Sequence, residues 1–325
     1  MTVRRRAPGD PVRIATRGSE LALRQARMVQ LELSVRGVAS ELKTFSTVGD
    51  KKLDVPLASI GGKGLFTQEL EDALAKGTVD CCVHSLKDLP TEAPEGLPVL
   101  AVLEREDPRD ALVLNSNLSA ETLSEIPRGS RIGTSSLRRR AQLLAVRPDL
   151  EVVELRGNVP TRVRKVEDGQ VHAAILAAAG LHRLDAKQSI AMYLDAPEWL
   201  PAAGQGAIAV QGREHDEELG AVLRSLNHEA TALAVNTERA FLAALEGGCQ
   251  VPIGALAVEK PDGWTLHGFL ADVRGKVLIR EQLVFHPETA RVDAERLASI
   301  IRLRGGEEIL EGLREANDLP KPQPE

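Results

Sequence analysis

The sequence predicts an α/β fold built from two successive strand–helix units, with a smaller α+β unit at the C-terminal end. Three observations point there. The 325 residues divide into two or three domains of ordinary size. Short apolar runs alternate with helix-period segments twice before Pro201, the order expected of parallel strands covered by helices. Beyond Pro201 strand candidates cluster together ahead of a final helix, which marks an α+β arrangement.

The elements follow in order. Val12 to Thr16 reads as a buried strand, and Ser19 caps a helix whose apolar positions include Leu21, Leu23, Ala26, Val29 and Leu33. Leu42 to Thr47 is a second strand. The Gly/Lys/Asp-rich stretch from Val48 to Gly64 is long enough for a functional loop. A helix from Leu65 to Ala75 and a strand from Val79 to Val83 complete the first unit. Strands Ala111 to Leu114, Arg131 to Gly133, Val152 to Leu155 and Ala173 to Leu176 make the second, with helices Ser136 to Val146 and Val159 to Val166. The two units share an order of elements but no sequence similarity. After a Gly-rich turn come a strand, Ala207 to Val210, and helices Glu214 to Leu226 and Glu229 to Leu245. Three strands (Ile253 to Val258, Thr265 to Leu270, Val277 to Phe285) and a helix from Thr289 close the chain.

Composition excludes several classes. Apolar residues make up 43% and charged ones 27%, a globular balance that only the tail 319–325 departs from. No apolar run approaches the 18 or so residues that span a bilayer. Pro8, Gly9, Asp10 and Pro11 stand where a signal peptide needs its apolar stretch, so the expectation is a cytoplasmic protein without a membrane partner. Cys81, Cys82 and Cys249 are too few for a disulfide scaffold, and no Cys/His cluster has metal-site spacing, so no metal is expected. The net charge of −6 disfavours nucleic acid. Yet residues 128–165 hold ten basic residues against three acids, a local +7. A confined anionic ligand fits that imbalance.

Five runs invite a chemical reading. Gly61-Gly62-Lys63-Gly64 is not a P-loop, because Leu57 holds the first glycine position and Gly64 follows the lysine; a flexible loop with a lysine tip is the other reading. His84-Ser85-Leu86-Lys87-Asp88-Leu89-Pro90 follows a strand, where open α/β sheets bind ligands. Asp88 there is a counter-ion for a cation or a proton donor, or simply part of a capped surface turn. Thr134 to Arg140, and Leu155-Arg156-Gly157-Asn158 with Arg162, place hydroxyls, an amide and arginines at two strand-to-helix junctions. Helix N-termini and arginine both favour anions, although solvated helix faces have the same composition. Glu246-Gly247-Gly248-Cys249-Gln250 puts a lone thiol just after a helix stop. Such a thiol is a nucleophile, an attachment point or an incidental buried group.

Taken together these runs resemble the porphobilinogen deaminase (hydroxymethylbilane synthase) family. Further matching segments are Ile14-Ala15-Thr16-Arg17, Leu65-Phe66, Glu104 to Asp110 and Leu200-Pro201-Ala202-Ala203-Gly204-Gln205-Gly206, all in order along the chain. The resemblance implies an enzyme of tetrapyrrole biosynthesis. It would condense four porphobilinogen molecules head to tail with release of ammonia, on a dipyrromethane cofactor held by a thioether at Cys249. Asp88 would stabilise the cationic methylene-pyrrolenine formed as ammonia leaves, a carboxylate placed where positive charge develops. Lys87, Asp88, Thr134, Ser136, Arg138, Arg139, Arg156 and Gly157 match cofactor-binding positions. Arg17, Ser19, Phe66, Arg156 and Arg162 match substrate-binding ones, and Lys63 belongs to the loop. Ser59 stands where the family often has lysine, and Pro160 where some members have glycine, a residue suited to a first helical turn.

The resemblance also implies the full architecture: two periplasmic-binding-protein-like α/β domains with a central cleft, plus the smaller α+β domain. Domain 1 would comprise 11–105 and 203–226, domain 2 106–202 and domain 3 227–318, with the chain crossing near Glu104 to Asp110 and returning near Leu200 to Gly206. A monomer is expected. Two rivals are a non-catalytic anion-binding protein, which needs neither Asp88 nor a loop Cys249, and an RNA-binding module using Arg138 to Arg140. Eight aromatic residues offer little stacking surface for the latter.

Overall fold

A computed structural model describes residues 9–51, 66–246, 251–261 and 263–315. The expected loop residues Ser59 and Lys63, the thiol Cys249 and the tail 319–325 lie outside the described residues.

The first unit opens with β1 (Val12–Arg17), α1 (Glu20–Val35) and β2 (Ser40–Phe45). Ser19 caps α1 by accepting from the Ala22 amide, as its sequence position predicts. A single turn α2 (Val48–Lys51), then α3 (Gln68–Ala75), β3 (Cys81–Ser85) and β4 (Val99–Val102) follow. The second unit runs β5 (Asp110–Leu114), β6 (Arg131–Gly133), α4 (Leu137–Val146) and β7 (Glu151–Val153). It ends with α5 (Val159–Glu167), β8 (Ala173–Ala177), α6 (Ala178–Arg183) and β9 (Met192–Leu194). Pro160 sits in the first turn of α5, where its missing N–H has no helical partner to lose. Then come β10 (Ile208–Gln211), α7 (Glu217–Arg224) and α8 (Glu229–Ala244). Strands β11 (Ile253–Lys260), β12 (Gly263–Ala271) and β13 (Leu278–Phe285) precede α9 (Ala290–Ile301) and α10 (Glu307–Glu315).

Two five-stranded sheets have orders β2-β1-β3-β10-β4 and β7-β6-β8-β5-β9. In each, four strands share one direction and the fourth in the order, β10 or β5, runs against them. The reversal departs from the all-parallel expectation, and its cause is the chain path. β5 enters the second sheet directly from β4 of the first, and β10 returns from β9, so both arrive against the direction of the helix-linked strands. β11, β12 and β13 form an antiparallel sheet packed on α8 and α9.

The two crossings touch. Glu106 N donates to Gly206 O at 3.1 Å, and Arg183 donates to the same carbonyl. Gly206 has φ +90°, and a Cβ there would lie 2.3 Å from Glu106 O, so only glycine fits where the segments pass. Glu238 of α8, fully buried, ties this junction to the C-terminal unit. It accepts from Arg105 at 2.7 and 3.0 Å, from Gly204 N at 2.8 Å and from Ala257 N at 2.9 Å. Among the described residues no helix is long and apolar enough to cross a membrane.

Candidate active site

The site forms where β3 ends. Its last residues give way to a 3-10 turn, Leu86–Asp88, whose apolar Leu86 anchors it in the core while Lys87 and Asp88 point away. The Asp88 side chain keeps 35% of its surface open, and its nearest ion-pair partner is Arg17 at 4.0 Å. Arg17 ends β1 and lies over the Phe66 ring, 4.3 Å from its centroid, a cation–π contact that holds the guanidinium at the mouth. One pocket is lined by Arg17, Ser19, Gln25, Phe66, Ser85 and Asp88. Arg17, Ser19, Phe66 and Asp88, expected apart in sequence, thus meet in one place.

Opposite them stands the cationic wall. Arg156 and Gly157 lie on the junction before α5. Gly157 has φ +116°, and a Cβ there would meet Thr161 at 2.8 Å; its carbonyl accepts from Arg162 Nε at 2.7 Å. Asn158 caps α5 through the Thr161 amide at 2.9 Å. Burial pushes the Arg162 guanidinium down to about 10, with Arg139 and Arg156 adding repulsion and Glu154 and Asp88 opposing it. Lys87 is pushed down to about 8, first by burial and then by Arg139, against the pull of Asp88 and Asp110. These mutual influences place Lys87, Asp88, Arg139, Arg156 and Arg162 within one electrostatic field across the two sheets.

Arg138 and Arg139, expected to meet carboxylates of a ligand, also pair with a carboxylate of the protein. Both are buried, and both pair with Asp110 at 2.7 Å. Arg138 also donates to Leu200 O at 2.8 Å, and Arg139 to Ile175 O at 2.8 Å. Among the described residues the Arg138 Nε is buried without a hydrogen-bond partner. Thr134 and Ser136 serve the backbone: Thr134 Oγ1 accepts from Ser136 N at 3.2 Å, and Ser136 Oγ caps α4 through Arg139 N at 3.4 Å. Each hydroxyl retains its own proton to donate.

Sequence reasoning passed over the residues beneath this wall. Asp110 also accepts from Trp199 Nε1 at 2.8 Å and Gln205 Nε2 at 2.9 Å. Gln205 in turn accepts from Lys87 Nζ at 3.2 Å, so one amide joins the Lys87 turn to the arginine wall. The available signal was an aspartate opening an apolar strand, since a buried carboxylate requires cations. His84, at the head of the Asp88 run, is buried against Gln211 at 3.1 Å and burial pushes it down to about 4. A neutral imidazole fixed there serves the strand. Lys63 and Cys249 lie outside the described residues. Glu246, ahead of Cys249, is tied by Arg302 at 3.1 Å and Arg314 at 2.9 Å.

Residues 12–221 match the family model "Porphobilinogen deaminase, dipyromethane cofactor binding domain", and residues 232–302 match "Porphobilinogen deaminase, C-terminal domain". The chain is 48% identical to the porphobilinogen deaminase of Trichlorobacter lovleyi over 302 residues, covering 92% of this chain and 96% of that one. It is likewise 48% identical to that of Geobacter sulfurreducens, covering 92% and 93%. Among solved structures the methionine-binding protein MetQ overlaps at TM-score 0.42 and 15% identity, over 70% of this chain and 93% of that one, too weak a likeness to bear on the site. On the strength of the two matched domains and these relatives, the chain belongs to the porphobilinogen deaminase family.

Proposed function

We propose that the chain condenses four porphobilinogen molecules head to tail, releasing ammonia at each addition, to give the linear tetrapyrrole hydroxymethylbilane. The observation that carries this reading is Asp88, a half-open carboxylate 4.0 Å from Arg17, facing a wall of cations. Each pyrrole of the substrate carries an acetate and a propionate, so a growing chain brings two carboxylates per ring. Arg17, Ser19, Arg156 and Arg162 bind and orient those acids, and Phe66 bounds the ring. Asp88 faces the positive charge that develops as ammonia departs, and a fixed carboxylate at that point lowers the barrier.

The dipyrromethane cofactor fits the residues present. Cations outnumber acids around the cleft, burial and then cationic neighbours lower the pKa of Arg162 and Lys87, and among the described residues Arg138 Nε is buried without a partner. A ligand rich in carboxylates relieves all three. Lys87, Arg139, Arg156 and the Ser136 and Thr134 hydroxyls would hold it, with Arg138 and Gly157 beside them and Cys249 as its covalent anchor. When bound, the group supplies the free pyrrole position from which the chain grows.

The same reading divides the chain into 11–105 with 203–226, 106–202 and 227–318, a division supported by the sheet each segment joins. It also makes the protein a cytoplasmic monomer that engages neither membrane nor nucleic acid. Intact mass tests the proposal. The wild-type protein should exceed its sequence mass by a dipyrromethane, and Cys249→Ala should remove the excess. An unmodified wild-type mass, with no ammonia released from porphobilinogen, would sink it.

A further inference from the structure

The turn that bears Asp88 has few bonds of its own. Leu86 N donates to Ala207 O at 3.0 Å, and Leu89 N closes the turn on Leu86 O at 3.1 Å. Pro90 follows and has no N–H to give. The turn is instead held from outside, by a residue of α8. Arg239 donates through Nη1 to Leu89 O at 3.2 Å, with Leu86 O at 3.5 Å, and through Nη2 to Pro90 O and to Thr91 O at 3.1 Å. Its contacts therefore bracket Asp88 in sequence on both sides.

We propose that Arg239 is a positioning residue for catalysis, fixing the Asp88 turn from the C-terminal unit. Three features support the assignment, which rests on the role given to Asp88 above. First, the guanidinium bonds to carbonyls alone among the described residues, and burial lowers its pKa with no acid beside it to compensate. Burying a cation without a carboxylate is costly, and here both Nη groups of the planar fork donate to the turn. Second, Ala232 and Val235 of the same helix pack with Leu86 and Leu89 in one apolar cluster, so the helix grips the turn from its apolar side as well. Third, the helix is itself immobilised at the adjacent residue, Glu238, by Arg105, Gly204 and Ala257. Arg239 thus refers the Asp88 carboxylate to the junction where both crossings meet. The same helix leads, five residues after Ala244, to Cys249, so one rigid element sets the start of the thiol segment and the position of the acid.

The test uses primer-loaded protein, with loading checked by intact mass. Arg239→Met should load its primer and keep KM for porphobilinogen within about threefold, while kcat falls about 10- to 100-fold, the scale of a misplacement of about 1 Å. Arg239→Lys, a point charge on a flexible stem, should recover only part of that loss. In an Asp88→Asn background Arg239→Met should lower kcat no further, because it acts through Asp88. Normal kcat in folded, loaded Arg239→Met, or the same fold-loss added on top of Asp88→Asn, overturns the proposal. If Arg239→Met does not fold, Arg239→Lys is read by the same kcat and KM criteria. Near-normal turnover by Asp88→Asn alone would instead overturn the role of Asp88, a result independent of either Arg239 variant.

Discussion

Asp88 and Asp110 are two carboxylates of one cleft with opposite fates. Asp110 is fully buried and receives donors from Arg138, Arg139, Trp199 and Gln205. Burial alone would raise its pKa, but the two guanidiniums hold it well below the usual carboxylate range. Asp88 keeps 35% of its side chain open, with one ion-pair contact among the described residues, at 4.0 Å. The difference separates a carboxylate used to assemble a wall from one kept available for charge that appears during reaction. A saturated acid has no lone pairs left for substrate. An acid left as open as Asp88 contributes little to folding.

The sharpest way to break this contrast is Asp110→Asn. It leaves two buried arginines short of a counter-charge and should cost about 3–5 kcal/mol in urea unfolding; a loss below about 1 kcal/mol would remove the structural role of Asp110. His84, four residues before Asp88, sharpens the contrast within one lobe. Its folded pKa of about 4 lies below the unfolded 6.5, so its contribution is present above pH 6.5 and is lost as pH falls toward 4. Replacing it with Gln should shrink the stability lost between pH 7 and pH 5 by about 2 kcal/mol. An unchanged acid limb would refute the buried neutral state.

Lys87 stands between the two carboxylates in character. Its lowered pKa of about 8 means that the ammonium discharges as pH rises through that value. Uptake of primer mass by unprimed protein should therefore slow about tenfold from pH 7 to pH 9, and Lys87→Gln should flatten that limb. A smaller effect comes from the crossing itself. Gly206→Ala forces a left-handed alanine against Glu106 O and should cost about 1–3 kcal/mol, with the stability of Gly206→Ala measured by thermal unfolding.

How much of this could be read beforehand follows from what each residue depends on. Ser19 caps its helix as expected, and Ser136 and Asn158 cap theirs at the two junctions, because capping is a contact three residues long. The parallel strands β1, β3 and β8 announce themselves by local apolar runs. β4 and β9 are absent from that reading, being only four and three residues long at the edges of their sheets. β4 is completed only by β10, pairing Val102 with Ala209. The reversed direction of β5 and β10 is set by the crossing, and no local period encodes it. The arginine-rich run at 138–140 was legible as cationic, but its capture by Asp110 was hidden, since the partner lies 28 residues upstream of Arg138. Gln205 and Arg239 were harder still. Their key partners include backbone carbonyls, which carry no residue-specific signal.

The division of labour between the two acids is tested most directly by ammonia release from porphobilinogen, with wild type and Asp88→Asn matched for primer loading by intact mass. We expect Asp88→Asn to remain folded and primed while its rate falls about 10²- to 10³-fold, the scale of removing one preorganised electrostatic partner. Release by primed Asp88→Asn within about threefold of wild type, less than about 1 kcal/mol in barrier, would contradict the assignment.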